Sequence, residues 1–334
     1  MVNSVGDFGT WASPPADMPS VFFQLIIMKR LFIVALIVFS AAGCSKKEGV
    51  VPADQKLDRV VASEASYHDA EQVMNTGEYV EEQWTWDGKK VIRIDYRGEN
   101  QYSENFFHDG RQIVRTTIPA YNIRSELSYD GRQLERIDIY RRDKLAVSML
   151  FSHHDDRMTE IVCQYFEVDS DMQGPVWVPM PLGAIVGDEM SKMIGDDVAR
   201  QLKRVDIQGK ALREVRYGLT WDGDDNVVRI DVSGAVESYA ITLTYDNKNN
   251  PYDQLYAGHE LNEPIFGFKM LSEHNVTSIR RPYDNHGTIL FNYSYTYDDD
   301  YPASRKLTYS YRAMNALFDT ITVRKEKTER YFYK

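Results

Sequence analysis

The stretch Leu127-Ser128-Tyr129-Asp130-Gly131-Arg132-Gln133-Leu134-Glu135-Arg136-Ile137 constrains this chain more than any other feature. An aromatic residue follows an apolar position, an Asp-Gly corner comes next, and Leu134 and Ile137 then stand three apart. Versions of the unit recur. Trp86-Asp87-Gly88 precedes Val91 and Ile94, His108-Asp109-Gly110 precedes Ile113, and Trp221-Asp222-Gly223 precedes Val227 and Ile230. His153-His154-Asp155-Asp156 precedes Met158 and Ile161, while Tyr245-Asp246-Asn247 and Tyr297-Asp298-Asp299 are degenerate members. Aromatic positions 86, 108, 129 and 153 are separated by 22, 21 and 24 residues, and 221 to 245 is again 24. Such a period holds two strands and two turns, which is one β-hairpin. Glycine suits the corner because a tight turn demands positive φ, which Gly adopts freely and Asp tolerates in part.

Between corners the pattern alternates. Phe291, Tyr293, Tyr295 and Tyr297 share one face, and Asn292, Ser294 and Thr296 the other. That is antiparallel sheet with one face packed and one wet. The three-residue steps 91/94, 134/137, 158/161 and 227/230 break the alternation, and a bulge or a twist is expected at each. The expected fold is therefore all-β: an antiparallel meander of repeated hairpins, closed or nearly closed into a barrel, over residues 66–334. Two intervals depart from it. Residues 171–187 are rich in Gly, Pro, Met and Val, and Met190, Met193, Ile194, Val198, Leu202 and Val205 then form the stripe of an amphipathic helix over about 188–205. The helix is expected to plug or cover an opening in the sheet, and Pro251 to Gly267 to cover the same end.

From Met28, two cations (Lys29, Arg30) lead a short apolar run and then Ser40-Ala41-Ala42-Gly43-Cys44. This is a secretory signal ending in a small-residue cleavage site, too short to span a bilayer. With Cys directly after Ala-Ala-Gly it resembles the bacterial lipoprotein signal, which implies acylation of Cys44 and attachment to a membrane surface. Residues 1–27 are taken as an over-extended start, 28–43 as the signal and 44–65 as a flexible tether. Cys163 is the only other cysteine, so no disulfide is expected. A formal net charge of -11 leaves nothing to neutralise a run of phosphates, which argues against nucleic acid.

The lipoprotein signal, the Tyr/Trp-Asp-Gly hairpins and the helical interruption together resemble a family of bacterial envelope lipoprotein domains of unknown function with a porin-like fold, found in host-associated Gram-negative anaerobes. The resemblance covers roughly residues 70–334 and implies a meander barrel; it carries no known activity or site residues. The Tyr129-Asp130-Gly131 run is also similar to the tyrosine-aspartate repeats of large toxin-encapsulating shells, a likeness of hairpin geometry. Dense charge on one face of strands such as Arg136-Ile137-Asp138-Ile139 means that this face is wet or that it lines a lumen with the apolar face toward lipid. The lipid anchor and the acidic corners favour the wet exterior.

Few residues suggest chemistry. His153-His154-Asp155-Asp156 has zinc-ligand types, but neighbours on a strand point to opposite faces. Asp222-Gly223-Asp224-Asp225-Asn226 and Asp298-Asp299-Asp300 offer calcium-like oxygens without the closing Glu of a twelve-residue loop. Both fit turns better, and neither metal nor cofactor is expected. No nucleophile elbow, phosphate loop or dinucleotide fingerprint is present. Among 22 Tyr and 5 Trp, the residues Trp84, Trp86, Trp177 and Trp221 are the first candidates to stack a ligand, against the alternative of cross-strand packing. The expected function is non-catalytic binding of a small molecule, glycan or protein partner at one end of a lipid-anchored barrel in the cell envelope, at the outer membrane. The alternatives are a glycan- or lipid-acting hydrolase, with Asp222 or Asp156 as participating acids, and a structural component of the outer membrane.

Overall fold

The computed structural model describes residues 56–97, 101–155, 157–166, 213–234, 238–252, 272–282, 287–314 and 319–334. Seventeen strand segments follow one another: β1 (Leu57–His68), β2 (Glu71–Asn75), β3 (Tyr79–Asp87), β4 (Lys90–Tyr96), β5 (Tyr102–Asp109), β6 (Gln112–Ile118), β7 (Ile123–Asp130), β8 (Gln133–Arg141), β9 (Lys144–His154), β10 (Arg157–Tyr165), β11 (Arg213–Trp221), β12 (Val227–Gly234), β13 (Tyr239–Asn249), β14 (His274–Pro282), β15 (Thr288–Asp298), β16 (Tyr301–Met314) and β17 (Thr320–Tyr333). β2 and β3 both pair antiparallel with β1, from β3 onward each strand pairs antiparallel with the next, and β17 returns to pair with β1 from Leu57↔Tyr333 to His68↔Val323. Because β2 and β3 lie in succession beside β1, the seventeen segments fill sixteen positions of a closed antiparallel barrel. Closure leaves no long unpaired edge, the feature that otherwise invites aggregation.

The alternation resolves into an inner and an outer wall. Val60, Ile94, Ile137, Ile139, Met149, Ile161, Tyr217, Ile230, Ile279 and Phe291 belong to one continuous buried cluster. Outward positions carry ion pairs along single strands: Arg93–Asp95, Arg136–Asp138 and Arg229–Asp231, each two residues apart and therefore on the same face. The charged face is the wet one, and the apolar and tyrosine side chains are packed inside.

The hairpin corners refine the expected turn chemistry. Asp87, Asp109 and Asp130 pair within the strands, with Lys90, Gln112 and Gln133. Positive φ falls on the first of the two turn residues, Gly88 (56°), Gly110 (58°) and Gly131 (60°), and on Asp155 (50°) and Asp299 (53°) where the repeat lacks its glycine. In these three Asp-Gly units the Asp ends a strand and only the residue after it bears the left-handed backbone, whereas Asp222 lies past the end of β11 and its turn takes positive φ at Asp225 (56°).

One expectation is corrected. The tether was placed at 44–65, but the wall begins at Leu57, whose apolar neighbours Val60 and Ala62 pair inward against Tyr331 and Glu329. The strand ends that flank the two interruptions lie at opposite ends of the barrel, and the cover expected from 251–267 lies outside the described residues from 253 onward. Tyr165 and Arg213 flank one at the end away from the corners, and Asn249 and His274 flank the other at the corner end. The helix expected at about 188–205, together with Cys44, Asp156 and Trp177, lies outside the described residues. Among the described residues there is no α-helix, only a short 3-10 turn at Pro119–Tyr121.

Candidate functional site

The three-residue steps are bulges, and the repeat aromatics serve them. Ile92, Val114, Glu135, Thr159 and Val228 are each skipped where the ladder register shifts opposite the corner aromatic. A bulge takes its backbone out of the ladder and leaves groups to be satisfied elsewhere. The polar tip of an aromatic one hairpin further on does this. The His108 Nε2 bonds Val91 O (2.7 Å), and the Tyr129 hydroxyl donates to Ile113 O (2.7 Å). The Trp221 indole donates to Met158 O (2.6 Å) and the Tyr245 hydroxyl to Val227 O (2.6 Å). Tyr295 to Val276 O (2.9 Å), Tyr333 to Pro302 O (2.9 Å) and Trp86 to Leu57 O (2.9 Å) extend the series. The corner rim is thereby stapled hairpin to hairpin around the barrel.

Two of the tryptophans proposed to stack a ligand, Trp86 and Trp221, are members of this series. The third, Trp84, is 2% exposed, donates its indole N–H to Glu82 (3.1 Å) and stacks on Trp86 at 6.2 Å between centroids. The described tryptophans pack and cap; they present no open stacking face together. Sequence reasoning weighed this alternative but had no means to see that the acceptor is a bulge carbonyl on the preceding hairpin.

The carboxylate-rich corners are turns. Asp222 Oδ1 accepts the backbone N–H groups of Asp224 and Asn226, both at 2.9 Å, and Asn226 Nδ2 reaches Oδ2 at 3.3 Å. Burial acts against the ionised form, but these donors outweigh it and hold Asp222 below the usual carboxylate range, unsuited to donating a proton. Arg157 pairs with Asp225 alongside. His153 faces inward, and exposed His154 reaches only Asp155, at 3.3 Å. Among the described residues no group of three His, Cys, Asp or Glu could hold a metal ion.

Inside the barrel, polar groups gather where β17 closes onto β1. Arg305 and Glu329 are buried together at 2.7 Å, Lys327 binds Glu81 at 2.5 Å and lies 3.4 Å from Glu329, and the Tyr331 hydroxyl donates to Glu329 at 2.9 Å. The Tyr252 ring bridges Trp84 and Tyr331, 6.4 and 6.2 Å away. Each of these charges faces an opposite charge. Glu104 is different: it is 0% exposed, and neither carboxyl oxygen has a hydrogen-bond partner. Burial pushes its pKa up to about 8; the Thr116 hydroxyl nearby pulls the other way without meeting it in good hydrogen-bond geometry.

The chain matches no family model and no curated protein. Its site has to be argued from geometry alone. A pocket of about 270 Å³ opens at the β4–β5 hairpin, at the end opposite the corners. Arg93, Asp95, Tyr96, Arg97, Gln101, Tyr102 and Ser103 line it. Its floor is preorganised: Arg93 donates to Asp95 from Nε (2.8 Å) and Nη2 (2.6 Å), and to Ser103 Oγ (2.9 Å), whose hydroxyl donates to Asp95 in turn. Burial alone would raise the Asp95 pKa, but the Arg93 and Ser103 hydrogen bonds overcome it and hold the carboxyl ionised. Tyr96 and Tyr102 stack at 4.7 Å, and Tyr102 meets the exposed Tyr121 at 5.6 Å. The sequence carried a signal for the floor, the Arg-Ile-Asp triplet at 93–95, 136–138 and 229–231. It gave no hint that the 93–95 copy, unlike the others, borders a tyrosine stack.

Proposed function

We propose that the protein is a lipid-anchored envelope barrel that binds a glycan, without catalysis, at the β4–β5 pocket. The observation that carries this reading is the pocket's composition. Polar groups held in place by one another on the outer face meet, at the end of the wall, the Tyr96–Tyr102 stack of the inner face of the same two strands. A sugar reaching over this rim would find partners for its hydroxyls and an apolar ring surface. Hydrolysis is the weaker reading. Glycoside cleavage takes two carboxyl groups in complementary protonation states, whereas among the described residues Asp95 is the one carboxyl lining the pocket and it is held ionised.

Two further observations agree. The outer wall carries ion pairs on strand after strand, including Arg124–Glu126, Arg216–Glu214 and Lys306–Glu326. Charge on a lipid-facing barrel surface costs about 2–4 kcal/mol per Arg or Lys at mid-bilayer, so this wall suits water. The first strand also enters at the corner end, where Lys56 reaches Gly88 O at 2.5 Å. An acyl chain on Cys44 would tether the barrel to a membrane surface. The pocket lies at the other end. This arrangement keeps alive the resemblance to porin-like envelope lipoproteins, with the barrel as a soluble ligand carrier on a tether.

A glycan array probed with the detergent-purified full chain tests the reading. The expected result is a defined set of bound glycans whose signal falls about tenfold in Tyr102→Ala, the loss of one stacking platform being worth roughly 1 kcal/mol or more. An array without hits, or hits that survive Tyr102→Ala unchanged, would overturn it.

A further inference from the structure

We propose that the inner face of β4–β7 binds a primary ammonium group, with Glu104 as its counter-charge and the Tyr96–Tyr102 stack as its aromatic approach. Strand register builds the site. Tyr96 pairs with Tyr102, and Ile94 with Glu104 on the next inward rung, so the carboxyl lies one rung deeper than the stack on the same face. Thr116 on β6 and Ser125 on β7 pair directly, and both are buried and inward. Three polar side chains thus stand on three successive strands, among inward neighbours that are otherwise apolar: Ile94, Phe106, Ile118 and Leu127. Glu104 is fully buried, and neither its carboxyl oxygens nor the Ser125 hydroxyl has a hydrogen-bond partner. Burial and Thr116 alone govern its titration, and no charged group among the described residues bears on it. Elsewhere in the same interior Arg305 faces Glu329 and Lys327 faces Glu81.

What the strip leaves open defines the group that fits it. It offers acceptors and lacks both donors and positive charge. A primary ammonium brings three N–H donors and one charge on a compact head. A divalent metal ion fits poorly, because one carboxyl and two hydroxyls fall short of the roughly six to eight oxygens that such an ion gathers. Folding has already taken the carboxyl out of water, so much of the desolvation that weakens buried ion pairs is complete before the ligand arrives. The approach suits a cation too. Tyr102 stands two residues nearer the end of the barrel than Glu104, stacks on Tyr96 at 4.7 Å and meets exposed Tyr121 at 5.6 Å. Aromatic faces attract a passing ammonium and accept its methylene stem. With Glu104 closed off from solvent, the ammonium has to pass these rings as the head of a slender chain or as a substituent on a ring held at the rim. This site is separate from the outer-face pocket, and an amine would bind it with or without a sugar attached.

Isothermal titration of the detergent-purified full chain at neutral pH tests this with two matched pairs. One is n-hexylamine against n-hexanol; the other is a glucosamine trisaccharide against its N-acetylated form. The expected result is that at least one amine binds about tenfold tighter than its neutral partner. Glu104→Gln keeps the shape and removes the charge, and it should abolish that preference without weakening the neutral partner. Ser125→Ala should reduce the preference and leave the fold untouched. Preference for hexylamine identifies an alkylamine ligand and preference for the glucosamine probe an amino sugar; either supports the proposal. Equal binding within both pairs, no binding of either amine, or a preference that persists in Glu104→Gln would overturn it. Binding of both trisaccharides alike, with hexylamine unbound, would overturn it and leave the glycan reading standing. Binding of hexylamine with neither trisaccharide bound would support it and count against the glycan reading alone.

Discussion

Arg305 on β16 and Glu329 on β17 face each other across one rung of the ladder and point into the barrel, 2.7 Å apart, with side chains 4% and 1% exposed. Burial works against the Arg305 charge, but Glu329 and the surrounding tyrosine oxygens outweigh it and keep the guanidinium protonated. The pair sits beside the strand that closes the circle, where a slip of one residue would turn every inward side chain outward. Arg305→Met should cost about 3 kcal/mol, because it takes the guanidinium away from a buried carboxylate that then leans on Lys327 at 3.4 Å and the Tyr331 hydroxyl. The double variant Arg305→Met/Glu329→Leu should recover most of that loss. Urea denaturation of the four proteins of this cycle measures both, and a double variant no more stable than the single one would refute the account.

The architecture was legible in the chain because the Tyr129-Asp130-Gly131 unit couples three local signals that agree: an aromatic inward position, a left-handed corner and an alternating strand. The bulges were legible for the same reason, since Leu134 and Ile137 cannot both face inward along a regular strand three apart. The role of the aromatics was not. Tyr129 caps Ile113, sixteen residues earlier, and Trp221 caps Met158, sixty-three residues earlier across an interruption. Such partners follow from closure of the sheet, which no local pattern encodes. The pocket was hidden for a related reason: Arg93, Asp95 and Ser103 come from two strands, and only the register Asp95↔Ser103 brings them together.

Removing one bulge cap isolates its worth. Tyr129→Phe keeps the ring and deletes the hydroxyl that reaches Ile113 O, a loss of about 1 kcal/mol for one hydrogen bond. Hydrogen exchange should show the corner between β5 and β6 opening more readily while distant corners stay protected. Uniform loss of protection around the barrel would argue that the caps act globally instead.

Glycines at the two ends of the hairpins should differ sharply. At Gly131 an added Cβ meets nothing, so Gly131→Ala pays only for its left-handed backbone, about 1 kcal/mol. At Gly234, φ is 109° and a Cβ would lie 2.3 Å from Glu214 O, a backbone atom of the neighbouring strand. Gly234→Ala should therefore pry β11 from β12 and lower the melting temperature several times more than Gly131→Ala. Equal shifts in a thermal scan would contradict the steric argument.

The anchor proposal gives a fractionation test. With a water-facing outer wall, Cys44→Ala should move the protein from the detergent-extracted membrane fraction into buffer, because the lipid would be the only attachment. Retention of the variant in membranes after a high-salt wash would favour a barrel that inserts.

Glu104 predicts a pH dependence of known sign. Its carboxyl ionises at about 8 in the folded barrel against an ordinary value of 4.5, so the folded state binds its proton more tightly than the unfolded chain does. The stability that this proton supports is fully present below pH 4.5, falls by roughly 1.4 kcal/mol per pH unit as pH rises through that window, and is lost once pH passes 8. Glu104→Gln replaces the acid by a neutral isostere with no proton to lose. Wild type and variant should be about equally stable near pH 4, and at pH 9 the variant should be ahead by a few kcal/mol. Urea unfolding at pH 4, 6, 7.5 and 9 reads the difference directly, and parallel curves for the two proteins would show that Glu104 ionises in the fold as easily as in water.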